Sequence, residues 1–237
     1  MLGDSLAHYG IASLRYDKRG IAKSQVPNLN EVDMSFDQFI DDAISWVQLL
    51  KKDDRFNTVT IAGHSQGSLV GMIAADMGAD RFISIAGGGQ KAGALIIKQL
   101  QQRAPILVEE SQRIIDQLEQ GILVDSVHPF LINLFRPSVQ PFLISYLKYD
   151  PITEIAKLDI PVLIINGTMD IQTDESEANR LYQSLPTSKI HIIDNMNHIL
   201  KMLEPDSDVS VNMASYNDPN SPISVELVKT IVSFIRD

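Results

Sequence analysis

The 237-residue chain contains no cysteine. Disulfides, thiolate metal sites and cysteine nucleophiles are excluded, while the compartment is left open. Positive charge is scarce: 20 Lys and Arg stand against 30 Asp and Glu, a net charge of −10. With no basic stripe, that balance repels a phosphate backbone and argues against a nucleic-acid partner. No run approaches the roughly 18 uninterrupted apolar residues that a membrane span requires. The opening residues, MLGDSLAHYG, lack the basic and apolar regions of a secretory signal, so a cytoplasmic location is the default expectation. What is present is ordinary for a globular protein: 44% apolar and 21% charged residues, with 13 Gly and 11 Pro. That is enough chain for one large core, or a core with an insertion.

Five short runs rich in Val and Ile, at residues 11–16, 59–62, 82–86, 162–166 and 189–193, read as strands. They do not alternate with polar residues, as expected of a sheet covered on both faces. Helical patterns separate several of them. Phe36, Ile40, Ala43, Ile44, Val47 and Leu50 share one face, and Ser35 with Gln38 has the spacing of a capping box. Residues 65–77 form a helix of small and apolar side chains, and residues 174–184 and 224–235 give two more. In the last, Val225, Val228, Ile231, Val232 and Ile235 point inward. The expected fold class is α/β, a mostly parallel sheet with helices on both faces and right-handed crossovers. Residues 90–149 break the rhythm with helical patterns and an apolar piece from 127 to 147 punctuated by Pro129, Pro137 and Pro141, and are expected to form a helical cap inserted between core segments 1–89 and 150–237. Residues 204–222, polar and with three prolines, read as a long loop.

The stretch VTIAGHSQGSLVG, residues 59–71, ends a strand in Gly63-His64-Ser65-Gln66-Gly67 and continues as a helix. A serine hydroxyl is a weak nucleophile and needs an adjacent base, itself oriented by a third group. In a strand–turn–helix elbow, glycines two residues either side of the serine relieve crowding, and the next amide sits at a helix N-terminus. Ser65 is therefore the candidate nucleophile, and the Gln66 N–H a candidate oxyanion donor. The partners should follow at the ends of later strands. Asp170 lies in the loop after 162–166, and His198 in the loop after 189–193. Asp174 reads as a helix-opening acid, and Asp194 is the alternative orienting acid. His8, His128 and His191 are weaker candidates. His64 is too close along the chain to reach Ser65 as its base. Gly87-Gly88-Gly89 lacks the spacing of a dinucleotide loop and reads as a tight exit into the cap. No cofactor and no metal are expected.

Two flanking segments carry a family resemblance. Residues 10–24, GIASLRYDKRGIAKS, and 149–172, YDPITEIAKLDIPVLIINGTMDIQ, together with the elbow, resemble the α/β-hydrolase superfamily. Within it the chain looks like bacterial esterases and serine-aminopeptidase-like hydrolases. The resemblance spans almost the whole chain, the cap matching only in position and helical character. It implies that Ser65, Asp170 and His198 form a catalytic triad with the Gln66 amide as one oxyanion donor. Asp17 and Arg19 would brace the loop beneath the elbow. The superfamily core has eight strands, so the resemblance also implies that three strands, and the loop giving a second oxyanion amide, would lie before Met1. The function expected is cleavage of small acyl esters, or of related amides. The alternatives are an impaired or non-catalytic hydrolase-like domain, and a peptidase. A bare sheet edge would open a route to homo-oligomers.

Overall fold

The computed structural model describes residues 1–25 and 29–237. Four strands form one sheet: β1 (Thr60–His64), β2 (Arg81–Ile85), β3 (Val162–Gly167) and β4 (Lys189–Ile193). They lie side by side in chain order and every pairing is parallel, with Thr60 opposite Arg81, Phe82 opposite Val162 and Leu163 opposite Lys189. The helices are α1 (Leu2–His8), α2 (Phe36–Lys51), α3 (Gln66–Ala75), α4 (Ala92–Arg103), α5 (Val108–Glu119) and α6 (Ile132–Phe135). They continue with α7 (Gln140–Leu147), α8 (Pro151–Ile155), α9 (Glu175–Ser184), α10 (Val209–Ser215) and α11 (Val225–Arg236).

The non-alternating strands are explained by two cores. Phe82, Val162 and Ile164 pack with α2, α3, α8 and α9 on one face. Their chain neighbours Ile83, Ile85, Leu163 and Ile165 pack with α1 and α11 on the other. Successive side chains of a strand point to opposite faces, so a sheet covered twice makes both sets apolar. The capping box of α2 is formed: the Ser35 hydroxyl accepts from the Gln38 N–H while the Gln38 side chain accepts from the Ser35 N–H. Phe36, Phe39, Ile40, Ala43 and Val47 are its buried stripe. In α11 the inward set is Leu227, Val228, Ile231, Val232 and Phe234; Val225, expected inward, is the first residue of the helix and is exposed.

Two further expectations are corrected. Residues 11–16 are not a strand. A cavity of about 1620 Å³, lined by Ile11, Leu14, Trp46, Ile61, Ile83 and Ile231 among others, separates them from the free edge of β1. A β-rich segment without a ladder partner in reach remains unpaired backbone, so the sheet of the described residues has four strands, not five. Residues 204–222 are not all loop. The Asp208 carboxylate accepts from the Val211 N–H and starts α10, and Pro205 and Pro219 flank that helix without interrupting it.

Helices α4 to α7 enclose a core of their own around Ile114, Leu118, Leu131, Phe135 and Leu147. Carboxylates anchor several of the polar ties that join them to the rest. Glu31 receives Arg136 and Ser138. Asp37, on α2, receives Lys148 and Tyr149. Glu177, fully buried on α9, receives the Gly89 N–H, the Gln90 amide and the Lys98 ammonium.

Candidate active site

The carboxyl ends of β1, β3 and β4 converge on one spot. β1 ends at His64, and Ser65 turns the chain into α3 with φ 54° and ψ −123°, a conformation unfavourable for any residue with a Cβ. The Ser65 N–H donates to the Ile85 carbonyl, pinning the turn to β2. Crowding at the elbow is one-sided, contrary to the expected symmetry. A Cβ on Gly63 would collide with the Gly67 carbonyl, whereas one on Gly67 would meet nothing within 4 Å. Small side chains matter further along: Gly71 of α3 lies against Phe82 and Ile61, letting the helix rest on the sheet. Gln66 is the first residue of α3, so its N–H is among the first-turn amides without an acceptor inside the helix.

Beyond β3, Asp170 is buried and its carboxylate is fully engaged. Oδ1 accepts from the Gln172 and Thr173 N–H groups at 2.8 and 2.9 Å. Oδ2 accepts from the Thr173 hydroxyl at 2.9 Å and lies 2.8 Å from His198 Nδ1. Beyond β4, His198 sits in a tight turn stabilised by Asn197, whose N–H donates to the Lys201 carbonyl while its side chain accepts from the Lys201 N–H. Asn195 and Leu200 take positive φ of 60° and 69° in that turn. His198 Nε2 is 3.0 Å from Ser65 Oγ, so the ring spans serine and carboxylate. With Asp170 as an acceptor-only carboxylate, Nδ1 carries the proton and Nε2 is free to accept one from the hydroxyl.

Other sequence candidates separate from this cluster. Asp174 caps α9, accepting from the Ser176 N–H, as its position suggested. Asp194 is exposed. His8 is exposed, His191 pairs with Glu226, and His128 accepts from the Phe130 N–H. Asp17 accepts from the Lys23 N–H, but Arg19 pairs with Asp42 on α2 at 2.6 Å, so the brace runs to a helix. The Gly87–Gly89 exit is tight: side chains there would strike Ser68, Leu95 and α9.

Several neighbours were not visible in the sequence. Thr173 is buried, and its hydroxyl lies 2.9 Å from Asp170 Oδ2 and 3.1 Å from the Ala86 carbonyl. Its spacing three residues after Asp170 is the one available signal, that of a side chain closing a local turn. Asn212 of α10 donates to the Met169 carbonyl, and Gln172 to the Tyr216 hydroxyl, so α10 steadies the acid loop. Lys18 donates to the Gln66 side chain at 2.8 Å, and desolvation holds its ammonium below the usual lysine range. Burial pushes Tyr146 of α7 up to about 12, against a hydrogen bond to Gln66. His64 Nε2 lies 2.7 Å from the His198 carbonyl oxygen.

A family model described as "Serine aminopeptidase, S33" matches residues 1–118. The protein named Esterase EstD, from Thermotoga maritima, is 27% identical over 203 residues, or 82% of this chain and 47% of that one. The chain thus spans about half the length of that relative. Among solved structures, Est1E from Butyrivibrio proteoclasticus with ferulic acid bound superposes with a TM-score of 0.63 at 17% identity, covering 100% of this chain and 82% of that one. A bromoperoxidase from Bacillus anthracis gives 0.55 at 16% identity, covering 94% and 80%.

Proposed function

We propose that this chain, which belongs to the α/β-hydrolase superfamily and is esterase-like, is a serine hydrolase that cleaves carboxylic esters through Ser65, His198 and Asp170. The observation that carries the reading is the unbroken hydrogen-bonded line from Ser65 Oγ through the His198 ring to Asp170, at 3.0 and 2.8 Å. His198 Nε2 takes the hydroxyl proton as Oγ attacks the ester carbonyl carbon. Asp170 holds the ring in the Nδ1–H tautomer and stabilises the imidazolium that forms. The Gln66 N–H, at the N-terminus of α3, is the donor for the developing oxyanion, and such a donor is worth about 3 kcal/mol to the transition state. Collapse of the tetrahedral intermediate breaks the bond to the alcohol, which leaves with the proton from His198. Water, deprotonated by the same ring, then attacks the acyl-enzyme and releases the acid. Helices α4 to α7 would serve as a cap that selects the substrate, with Tyr146 and Gln66 meeting at its border.

The test is covalent labelling. A fluorophosphonate probe is expected to modify Ser65, and Ser65→Ala is expected to lose both labelling and hydrolysis of a short p-nitrophenyl ester. A folded wild-type protein that takes up no probe overturns the reading. The serine-aminopeptidase match favours a second substrate class, amides. The same residues perform that reaction with an amine as leaving group, and p-nitroanilides assayed beside the esters separate the two.

A further inference from the structure

His64 is left over by the chemistry above, yet it is the residue next to the nucleophile and its ring reaches the base. Its Nε2 lies 2.7 Å from the main-chain carbonyl oxygen of His198, and the two imidazole centroids are 5.0 Å apart. A carbonyl only accepts, so His64 must carry its proton on Nε2 and donate. Among the described residues the His64 ring is the one donor found at that carbonyl. We infer that His64 is a positioning residue for the proposed hydrolase reaction, holding the turn of His198 against the elbow so that Nε2 of the base stays within reach of Ser65.

The geometry explains why one contact can matter. The turn hangs beyond β4, and two strands lie between β4 and β1 in the sheet. Two direct links cross from the elbow to it. One is the Ser65–His198 hydrogen bond, which is surrendered whenever the hydroxyl becomes a nucleophile. The other is the His64 bond to the main chain, which the reaction leaves untouched. Adjacent residues on one rigid turn therefore grip the same histidine, one at its ring and one at its backbone. The second grip keeps the imidazolium in place while the first is broken.

The charge state of His64 fits the task. The groups that face it are His198, Asp170 and Lys18. Desolvation lowers the affinity of His64 for a second proton; the bond to His198 and the charge of Asp170 oppose that shift, and His198 and Lys18 reinforce it. A neutral donor suits a site that must form a positive charge on His198 only 5.0 Å away. Two imidazolium rings at that separation would repel each other.

The experiment compares wild type with His64→Leu, which removes the donor, and His64→Gln, which keeps an N–H at similar reach. This inference rests on the serine-hydrolase reading, so turnover is normalised to sites titrated by the fluorophosphonate, and a spectroscopic arm needs no turnover. His64→Leu is expected to lower kcat per titrated site by about tenfold or more with KM little changed, since small displacements of a catalytic group are costly. His64→Gln is expected to recover most of that loss. Histidine-selective ¹H–¹⁵N spectra of wild type are expected to place the His64 proton on Nε2. Equal kcat per site in His64→Leu, or a His64→Gln variant as impaired as the leucine, overturns the inference. Should His64→Leu fail to fold, the glutamine variant and the wild-type tautomer decide alone. A His64 proton found on Nδ1 also overturns it. Absence of probe uptake by wild type instead removes the hydrolase reading, while the spectra still decide the contact.

Discussion

At the scale of single residues, the elbow stores strain at one position and space at another. Ser65 holds positive φ, a cost of about 1–3 kcal/mol that the surrounding turn must offset. Gly63 is packed so closely under Gly67 that no side chain fits, while Gly67 faces open space early in α3. The two glycines of the motif should therefore respond differently. Gly63→Ala is expected to destabilise by about 3 kcal/mol or prevent folding, as overpacking against backbone does. Gly67→Ala is expected to be neutral or to stabilise by up to about 1 kcal/mol, because alanine is the better helix former. Urea denaturation of both variants checks this, and equal losses would refute it. The side chains proposed as nucleophile, acid and base could be singled out in the sequence because few residue types can do this chemistry and the proposed roles follow a fixed order along the chain. Thr173 and the reach of His64 were not, because a hydroxyl shared between two acceptors and a bond to a main-chain carbonyl leave no pattern in side-chain identity.

At the scale of elements, α4 to α7 are tied to the core by carboxylates whose protonation should release them. Glu31 is held below its ordinary range by hydrogen bonds from Arg136 and Ser138. Asp37 pays for desolvation, yet hydrogen bonds from Lys148 and Tyr149 and the Lys148 charge still hold it low. Both pKa values are depressed on folding, so each tie contributes fully above the unfolded value near 4 and is lost as pH falls through the lower folded value. Acid is therefore expected to loosen α7 and its flanks before the sheet. Hydrogen exchange measured at pH 6 and pH 3 should show protection falling first in residues 136–149, and uniform loss across the sheet would contradict this. Element legibility followed local signals. The capping box announced α2, and its stripe needed only one periodic face. Residues 11–16 carry the composition of a strand, but a strand exists through its neighbours and the sequence does not state that they are within reach. Prolines concealed α10 because they bracket a helix as readily as they break one.

At the scale of the whole molecule, the parallel sheet was readable because apolar strands without alternation require cover on both faces, and two cores provide it. The gap between residues 11–16 and β1 could not be read, since no local pattern encodes a distance between segments. The free side of β1 carries unpaired backbone groups, which invite pairing with another chain. Sedimentation is expected to show self-association that grows with concentration, and Ala62→Lys, an exposed position on that strand, is expected to weaken it. A single sedimenting species at all concentrations, unchanged by the lysine, would speak against edge pairing. One face of the sheet owes its cover to helices far apart in sequence: α1, and α11 with Leu227, Ile231 and Phe234, the two also joined where Arg236 donates to the Tyr9 carbonyl. A ribosome delivers residues 225–236 long after β1 to β3 have emerged. Until then Ile83, Ile85, Leu163 and Ile165 lie open to water, so the nascent chain presents a sticky surface that holdase chaperones would recognise, and a premature stop before Val225 should yield inclusion bodies rather than a shorter soluble protein.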